Sequence, residues 1–152
     1  MTSMTSIRLA EAFLDRARTR LKALDALRAE ADFSDVVREA RDIVDLCIRG
    51  MLRVMDIEVS RWREAGEILQ ENIRRFPSEI VAHEERLMGI LKDLAQANEI
   101  PPSDEDHVPH AVVEKMNIGD ADRATAEAEW VLGIAEMTIS VVGHRAPAAS
   151  AR

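Results

Sequence analysis

The chain has 152 residues, a formal net charge of −8 at pH 7 and a hydrophobic fraction of 47%. A chain of this length forms one domain that buries roughly 70% of its unfolded surface, so it needs no disulfide or structural metal. The acidic charge disfavours non-specific binding to nucleic acid, because phosphate binding requires a field of cations, and no DNA partner is expected. Aromatic residues make up only 3% of the chain, which also disfavours an exposed surface for stacking bases.

The sequence indicates a cytoplasmic protein. The opening "MTSMTS" lacks an apolar core, so no signal peptide is predicted. No apolar run approaches the ~18 residues that a membrane-spanning helix needs, and no membrane partner is expected. Cys47 is the single cysteine, which excludes an internal disulfide, and its apolar surroundings are typical of a small core residue.

Apolar residues recur at spacings of three and four along most of the chain, which predicts an all-α, up-and-down bundle of five helices. The predicted helices are residues 7–29, a second capped by Asp32 or Ser34 and ending near Met55, residues 61–75 after a cap at Ser60, a fourth capped by Ser78, and a fifth from Asp120 to Val142. The second helix is apolar nearly all round, so it lies at the centre of the bundle or at a subunit interface.

The predicted domain covers residues 7–143, between a flexible N-terminus at 1–6 and a flexible tail at 144–152. Residues 98–120 contain three prolines and a burst of acidic residues, which predicts a long irregular loop before the last helix.

Two stretches share an ordered pattern of residues. In "DFSDVVREARDIVDLCIRGMLRVMDIEVSRWREAGEIL", residues 32–69, the pattern opens a helix, follows it with a polar and leucine stripe, and ends in a tryptophan element. The matching residues are Phe33, Ser34, Asp35, Glu39, Ala40, Asp45, Leu46, Arg49, Leu52, Trp62, Glu64, Ala65, Gly66 and Leu69. Together with "GDADRATAEAEWVLGIAE", residues 119–136, this order and spacing resembles the prokaryotic HEPN domain family.

The resemblance implies a helical bundle, a homodimer and, as in many relatives, a minimal nucleotidyltransferase partner in a toxin–antitoxin pair. Family members that are RNases carry an Arg followed four to six residues later by His. No arginine lies at that distance before any histidine of this chain, namely His83, His107, His110 and His144. Arg63 stands where the family carries histidine, and a guanidinium cannot accept a proton at ordinary pH. We therefore predict an interaction module with no catalytic residue and no cofactor.

The candidate ligand-binding residues, for an anion such as a nucleotide or RNA, are Asp45, Arg49, Arg61, Trp62 and Arg63. Asp45 and Arg49 form either a phosphate-binding groove or an intrahelical ion pair, and their spacing of four favours the ion pair. Arg61, Trp62 and Arg63 form either an anion-binding corner or a corner in which Trp62 plugs the end of the bundle. The plug is favoured, because tryptophan usually buries its large ring.

Two other functions remain open from the sequence. One is an RNase whose site is rebuilt from Arg49, Arg63 and a loop histidine, His107 or His110. The other is a metal-binding regulator that uses His107, His110 and Glu114. The loop that carries these three residues is acidic, and acidic runs are usually solvated, so no metal is expected.

Overall fold

The computed structural model describes residues 3–30, 32–97 and 117–150, and the side chains of these residues except 97 and 145–150. Within these ranges the chain is all-α and without strands, and six helices, five of them seven residues or longer, pack as a bundle. They are α1 (Met4–Ala29), α2 (Phe33–Val54), α3 (Ala65–Asn72), α4 (Ser78–Val81), α5 (Glu84–Ala97) and α6 (Ile118–Ser150), and a 3-10 turn, Ile73–Arg75, follows α3. The all-α bundle predicted from the sequence is therefore confirmed.

Helix α2 lies at the centre of the bundle. This is one of the two positions that the sequence predicts for it, the other being a subunit interface. It packs against α1, α3, α5 and α6. Its side chains Ile43, Met51 and Leu52 are completely buried. Cys47 is buried among them, and its burial raises the pKa of the thiol to about 12. The cysteine is thus a protonated core side chain at neutral pH, as its sequence context predicts.

Helices α1 and α2 approach each other closely at Gly50. A Cβ atom at this position would lie 3.2 Å from the carbonyl oxygen of Ala10 and 3.2 Å from Cδ2 of Leu14. Ala10 and Leu14 are both buried against α2. The missing side chain of Gly50 therefore allows α1 and α2 to pack this closely.

A Schellman motif ends α2 and ties it to the start of α1. The N–H of Ile57 donates to the carbonyl of Leu52 at 2.9 Å, and the N–H of Asp56 donates to that of Arg53 at 3.0 Å. Asp56 takes the left-handed conformation, with φ of 57°, at the position that glycine usually occupies. Its carboxylate accepts a hydrogen bond from the hydroxyl of Ser6, so the two helix ends are joined.

The outer helices extend further than the apolar pattern predicts. Helix α1 begins at Met4 rather than at residue 7, because Ser3 caps it by accepting a hydrogen bond from the N–H of Ser6 at 3.0 Å. Helix α6 begins at Ile118, where Asn117 and Asp120 each accept the other's backbone N–H at 3.0 Å. Asp120 thus caps from inside the first turn. The helix continues past Val142 to Ser150, although this last part contains Gly143 and Pro147, the two residue types with the lowest helix propensity.

The third predicted helix begins later than expected. Residues 60–63 form a turn in which Ser60 accepts N–H groups from Trp62 and from Arg63, each at 3.2 Å. Glu64 then takes an extended conformation, and α3 starts at the next residue. Ser60 therefore stabilises a turn before the helix and does not cap it.

The fourth predicted helix is divided. Phe76 is extended before Pro77, as the proline predicts, and Ser78 is the first residue of the short α4 instead of its cap. Helix α5 starts after a break at residues 82 and 83.

Residues 98–116, most of the predicted acidic loop, lie outside the described residues, and His107, His110 and Glu114 lie there with them. In the part of the chain that is described, no helix is long and apolar enough to cross a membrane.

Candidate functional site

All five candidate ligand-binding residues line one groove. It lies between α2, the turn at residues 60–63 with Glu64 after it, α3 and α5, and it has a volume of about 820 Å³. Apolar residues of the groove come from α2 and α5, among them Ile48 and Leu91. Charged residues come mainly from α2 and from the turn. The sequence therefore identifies side chains that the fold brings together from two separate segments.

Asp45 and Arg49 form the intrahelical ion pair that their spacing favours. Nε of Arg49 lies 2.7 Å from Oδ2 of Asp45, and both side chains are half-buried along the groove. Arg41, one turn earlier on α2, instead binds Glu64 in the turn before α3 at 3.2 Å. The Arg41–Glu64 pair joins α2 to the segment before α3, and the two pairs together neutralise two cations of the groove.

Trp62 does not plug the bundle, and that expectation is wrong. Its side chain is 86% exposed at the rim of the groove. The turn centred on Ser60 carries Trp62 away from the core, and the space below is already filled by buried residues such as Ile48 and Leu94. Among the described residues the cation–π contact is found elsewhere, where Arg86 lies 4.3 Å from the ring centre of Trp130.

Arg63 is held by two carboxylates of α3. Its Nη1 donates to Oε2 of Glu71 at 3.0 Å, a second, short hydrogen bond joins Nη2 to Oε1, and Glu67 lies 3.6 Å away. The hydrogen bonds raise the pKa of Arg63 and lower the pKa of Glu71. Arg63 is thus a partner for carboxylates within this chain, and little of its charge is left for an incoming phosphate.

Two other cations of the groove are free. Within the described residues, Arg61 and Lys92 form no hydrogen bond, ion pair or ring contact. Lys92 is the functional candidate that the sequence reasoning missed. Lys92 follows Met88 by four residues on α5, so the two side chains lie on the same side of the helix. The apolar pattern places Met88 on the inward side, and this spacing could have identified Lys92 as a residue near the groove. Together Arg61 and Lys92 give the groove two exposed positions where an anionic group can bind.

A second cluster of polar residues lies between α5 and α6. Burial, together with the charge of Asp93, raises the pKa of Glu127, although Arg123 and Arg86 oppose the shift. The ring of His83 contacts Trp130 edge-on at 5.7 Å between centres. These contacts join α6 to the α4–α5 region.

The described residues contain no group of three or more His, Cys, Asp or Glu side chains arranged to hold a metal ion. The alternative metal ligands His107, His110 and Glu114 lie in the segment that is not described, so that hypothesis stays a prediction. The same holds for the loop histidine that a rebuilt RNase site requires.

No family model, curated protein or solved structure matches this chain. The resemblance to the HEPN domain family therefore stays a prediction, carried by the two motifs at residues 32–69 and 119–136.

Proposed function

We propose that this chain is a HEPN-like interaction module that binds a partner through the groove and does not itself cleave RNA. The observation that carries the proposal is the position of Trp62, which is 86% exposed at the groove rim beside the free cation Arg61. Tryptophan and arginine are the residue types most enriched where protein interfaces gain their affinity. A tryptophan left this exposed in a bundle with a full core is best explained by a binding role.

The chemistry of the groove supports the absence of nuclease activity. Metal-independent RNA cleavage needs a group that transfers protons and a cation that stabilises the phosphate. Among the described residues that line the groove, no histidine is present. Arg49 and Arg63, the arginines of the rebuilt-site hypothesis, are both engaged by carboxylates. Binding therefore needs nothing beyond the groove as it stands, whereas the described residues of the groove do not provide the imidazole that the family's proton transfer uses.

The resemblance implies the partners: a second copy of the chain and a minimal nucleotidyltransferase, the two proteins forming a toxin–antitoxin pair. Light scattering of the purified chain tests the first. A mass of two chains at micromolar concentration is expected, and a mass of one chain would contradict the homodimer.

Co-purification with a coexpressed minimal nucleotidyltransferase tests the second partner and the groove together. We expect Trp62→Ala to reduce the yield of the complex, because the exposed ring is lost from the interface. Met137→Ala is the matched control, since Met137 is an apolar side chain of α6 that is 37% exposed and does not line the groove. A complex that forms equally well with both variants would contradict a binding role for the groove.

A further inference from the structure

The groove is one of three neighbouring concavities that form a continuous surface. The second has a volume of about 440 Å³ and is lined by residues of α1 and α2, including Phe13. The third has a volume of about 250 Å³ and lies between α1 and the segment that contains Val59. Arg49 lines all three, and Phe13 lines the second and the third. We call the residues that line these three concavities the basic–apolar face.

Every carboxylate of the basic–apolar face already has a cationic partner on the same face. The pairs are Asp42 with Arg20 at 3.1 Å, Asp45 with Arg49 at 2.7 Å, Glu64 with Arg41 at 3.2 Å and Glu67 with Arg63 at 3.6 Å. The carboxylates of the face therefore do not repel an incoming anion as free charges would.

Four further cations of the face have no partner among the described residues: Arg16, Arg53, Arg61 and Lys92. Only two other lysines or arginines with described side chains, Arg8 and Lys22, likewise lack a hydrogen bond, an ion pair and a ring contact. Among the described side chains, four of the six free cations of this acidic protein therefore lie on one face. Such a concentration attracts and orients an anionic partner.

The same face exposes apolar side chains between its cations. Leu9 is 39% exposed and lines the third concavity with Phe13, Val59 and Arg53. Trp62, the most exposed of the large hydrophobic residues described, stands at the rim of the groove. Hollows lined by aliphatic and aromatic groups gain affinity by burying apolar side chains, which a phosphate backbone cannot provide.

We infer that the basic–apolar face binds an acidic polypeptide segment that carries aliphatic or aromatic side chains, an inference that rests on the interaction role proposed above. The free cations would bind its carboxylates, and the concavities would take its apolar side chains. A second copy of the chain fits this face poorly. A two-fold contact would bring the free arginines of one copy against the same arginines of the other.

Fluorescence anisotropy with a labelled synthetic peptide of alternating Glu, Leu and Phe residues tests the inference. We expect the double variant Arg53→Glu, Arg61→Glu to bind the peptide about tenfold more weakly than the unmodified protein does, because two free cations become repulsive. Arg8→Glu combined with Lys22→Glu is the matched control, since it changes the net charge equally through free cations outside the face. The control is expected to keep the affinity of the unmodified protein.

Three results would overturn the inference: no peptide binding, equal weakening by both double variants, or tighter binding of a single-stranded RNA oligonucleotide than of the peptide. Circular dichroism and thermal melting of each variant separate loss of binding from loss of fold. Different results would contradict the proposed interaction role itself: cleavage of RNA by the purified chain, or no association with either implied partner. A fourth result would also overturn the inference: if a coexpressed partner still binds the Arg53→Glu, Arg61→Glu variant normally, the interaction role stands and the assignment of this face is wrong.

Discussion

The guanidinium of Arg63 is bound by the carboxylate of Glu71 through two hydrogen bonds, one of 3.0 Å and one shorter. The pair joins the turn that carries Trp62 to the C-terminal end of α3. It also engages a cation that lines the groove. Much of the positive charge of Arg63 is therefore used within the chain.

Removing the carboxylate from this pair should make the groove more attractive to anions. We expect Glu71→Gln to bind the Glu, Leu and Phe peptide about threefold more tightly, because the guanidinium of Arg63 becomes available and one negative charge is lost. Glu85→Gln is the control for the charge alone, since Glu85 is exposed on α5 and does not line the groove. Equal gains in the two variants would mean that the Arg63–Glu71 pair does not limit binding.

The left-handed conformation of Asp56 makes a prediction about stability. We expect Asp56→Ala to lower the free energy of unfolding by about 1 kcal/mol more than Asp56→Gly does, because alanine is strained at positive φ and glycine is not. Both variants lose the hydrogen bond from Ser6, so the difference between their free energies of unfolding reports the backbone strain at this position. Urea unfolding measures it, and equal losses would show that the position is not left-handed.

The close approach of α1 and α2 predicts opposite effects for alanine at two helical glycines. Gly50→Ala should destabilise the fold by about 1 kcal/mol or more, because the added Cβ meets the rigid carbonyl of Ala10. Gly89→Ala should stabilise it by about 0.5 to 1 kcal/mol, because no atom lies within 4 Å of the new Cβ and alanine favours the helix. Thermal unfolding of both variants checks this, and a stabilising Gly50→Ala would contradict the tight packing.

The raised pKa of Glu127 predicts a pH-dependent stability. Its ordinary value is 4.5, and burial first, then Asp93, raise it, so the folded state holds this proton more tightly than the unfolded chain does. Stability from this group is therefore present at low pH and lost as the pH rises through the folded-state pKa. Glu127→Gln should raise the melting temperature at pH 7 and leave it unchanged near pH 4. Glu129→Gln, on the exposed side of α6, is the control, and equal effects at both pH values would contradict the shift.

The bundle was predictable because its helices have long, regular apolar periods. Helix α2 is the clearest case, since its buried residues are those that the pattern places inward. Its composition allowed two positions, the centre of the bundle or a subunit interface, and its contacts with α1, α3, α5 and α6 show that it is central in the bundle. Helix ends that polar contacts determine, such as the start of α6 with its reciprocal hydrogen bonds between Asn117 and Asp120, are not marked by the spacing of apolar residues.

The exposure of Trp62 was not predictable from the local sequence. Whether a tryptophan is buried depends on the space that the rest of the fold leaves, and here buried residues of α2 and α5 fill that space. The ion-pair partner of Arg63 was also not predictable from the local sequence. Glu71 lies eight residues further on, and the extended Glu64 brings it within reach only after the turn at residues 60–63 has formed. The sequence indicated Asp45 and Arg49 as one feature and Trp62 as another, and only the packing of α2 against the residues before α3 brings the three into one groove.

Incubation of the purified chain with a labelled single-stranded RNA tests the central claim most directly. That claim is that the groove binds a partner and has no nuclease chemistry. The account predicts that the RNA remains intact after long incubation, because Arg49 and Arg63 are held by carboxylates and the described groove has no histidine. Cleavage by the unmodified protein that is abolished in both Arg63→Ala and His107→Ala would contradict it.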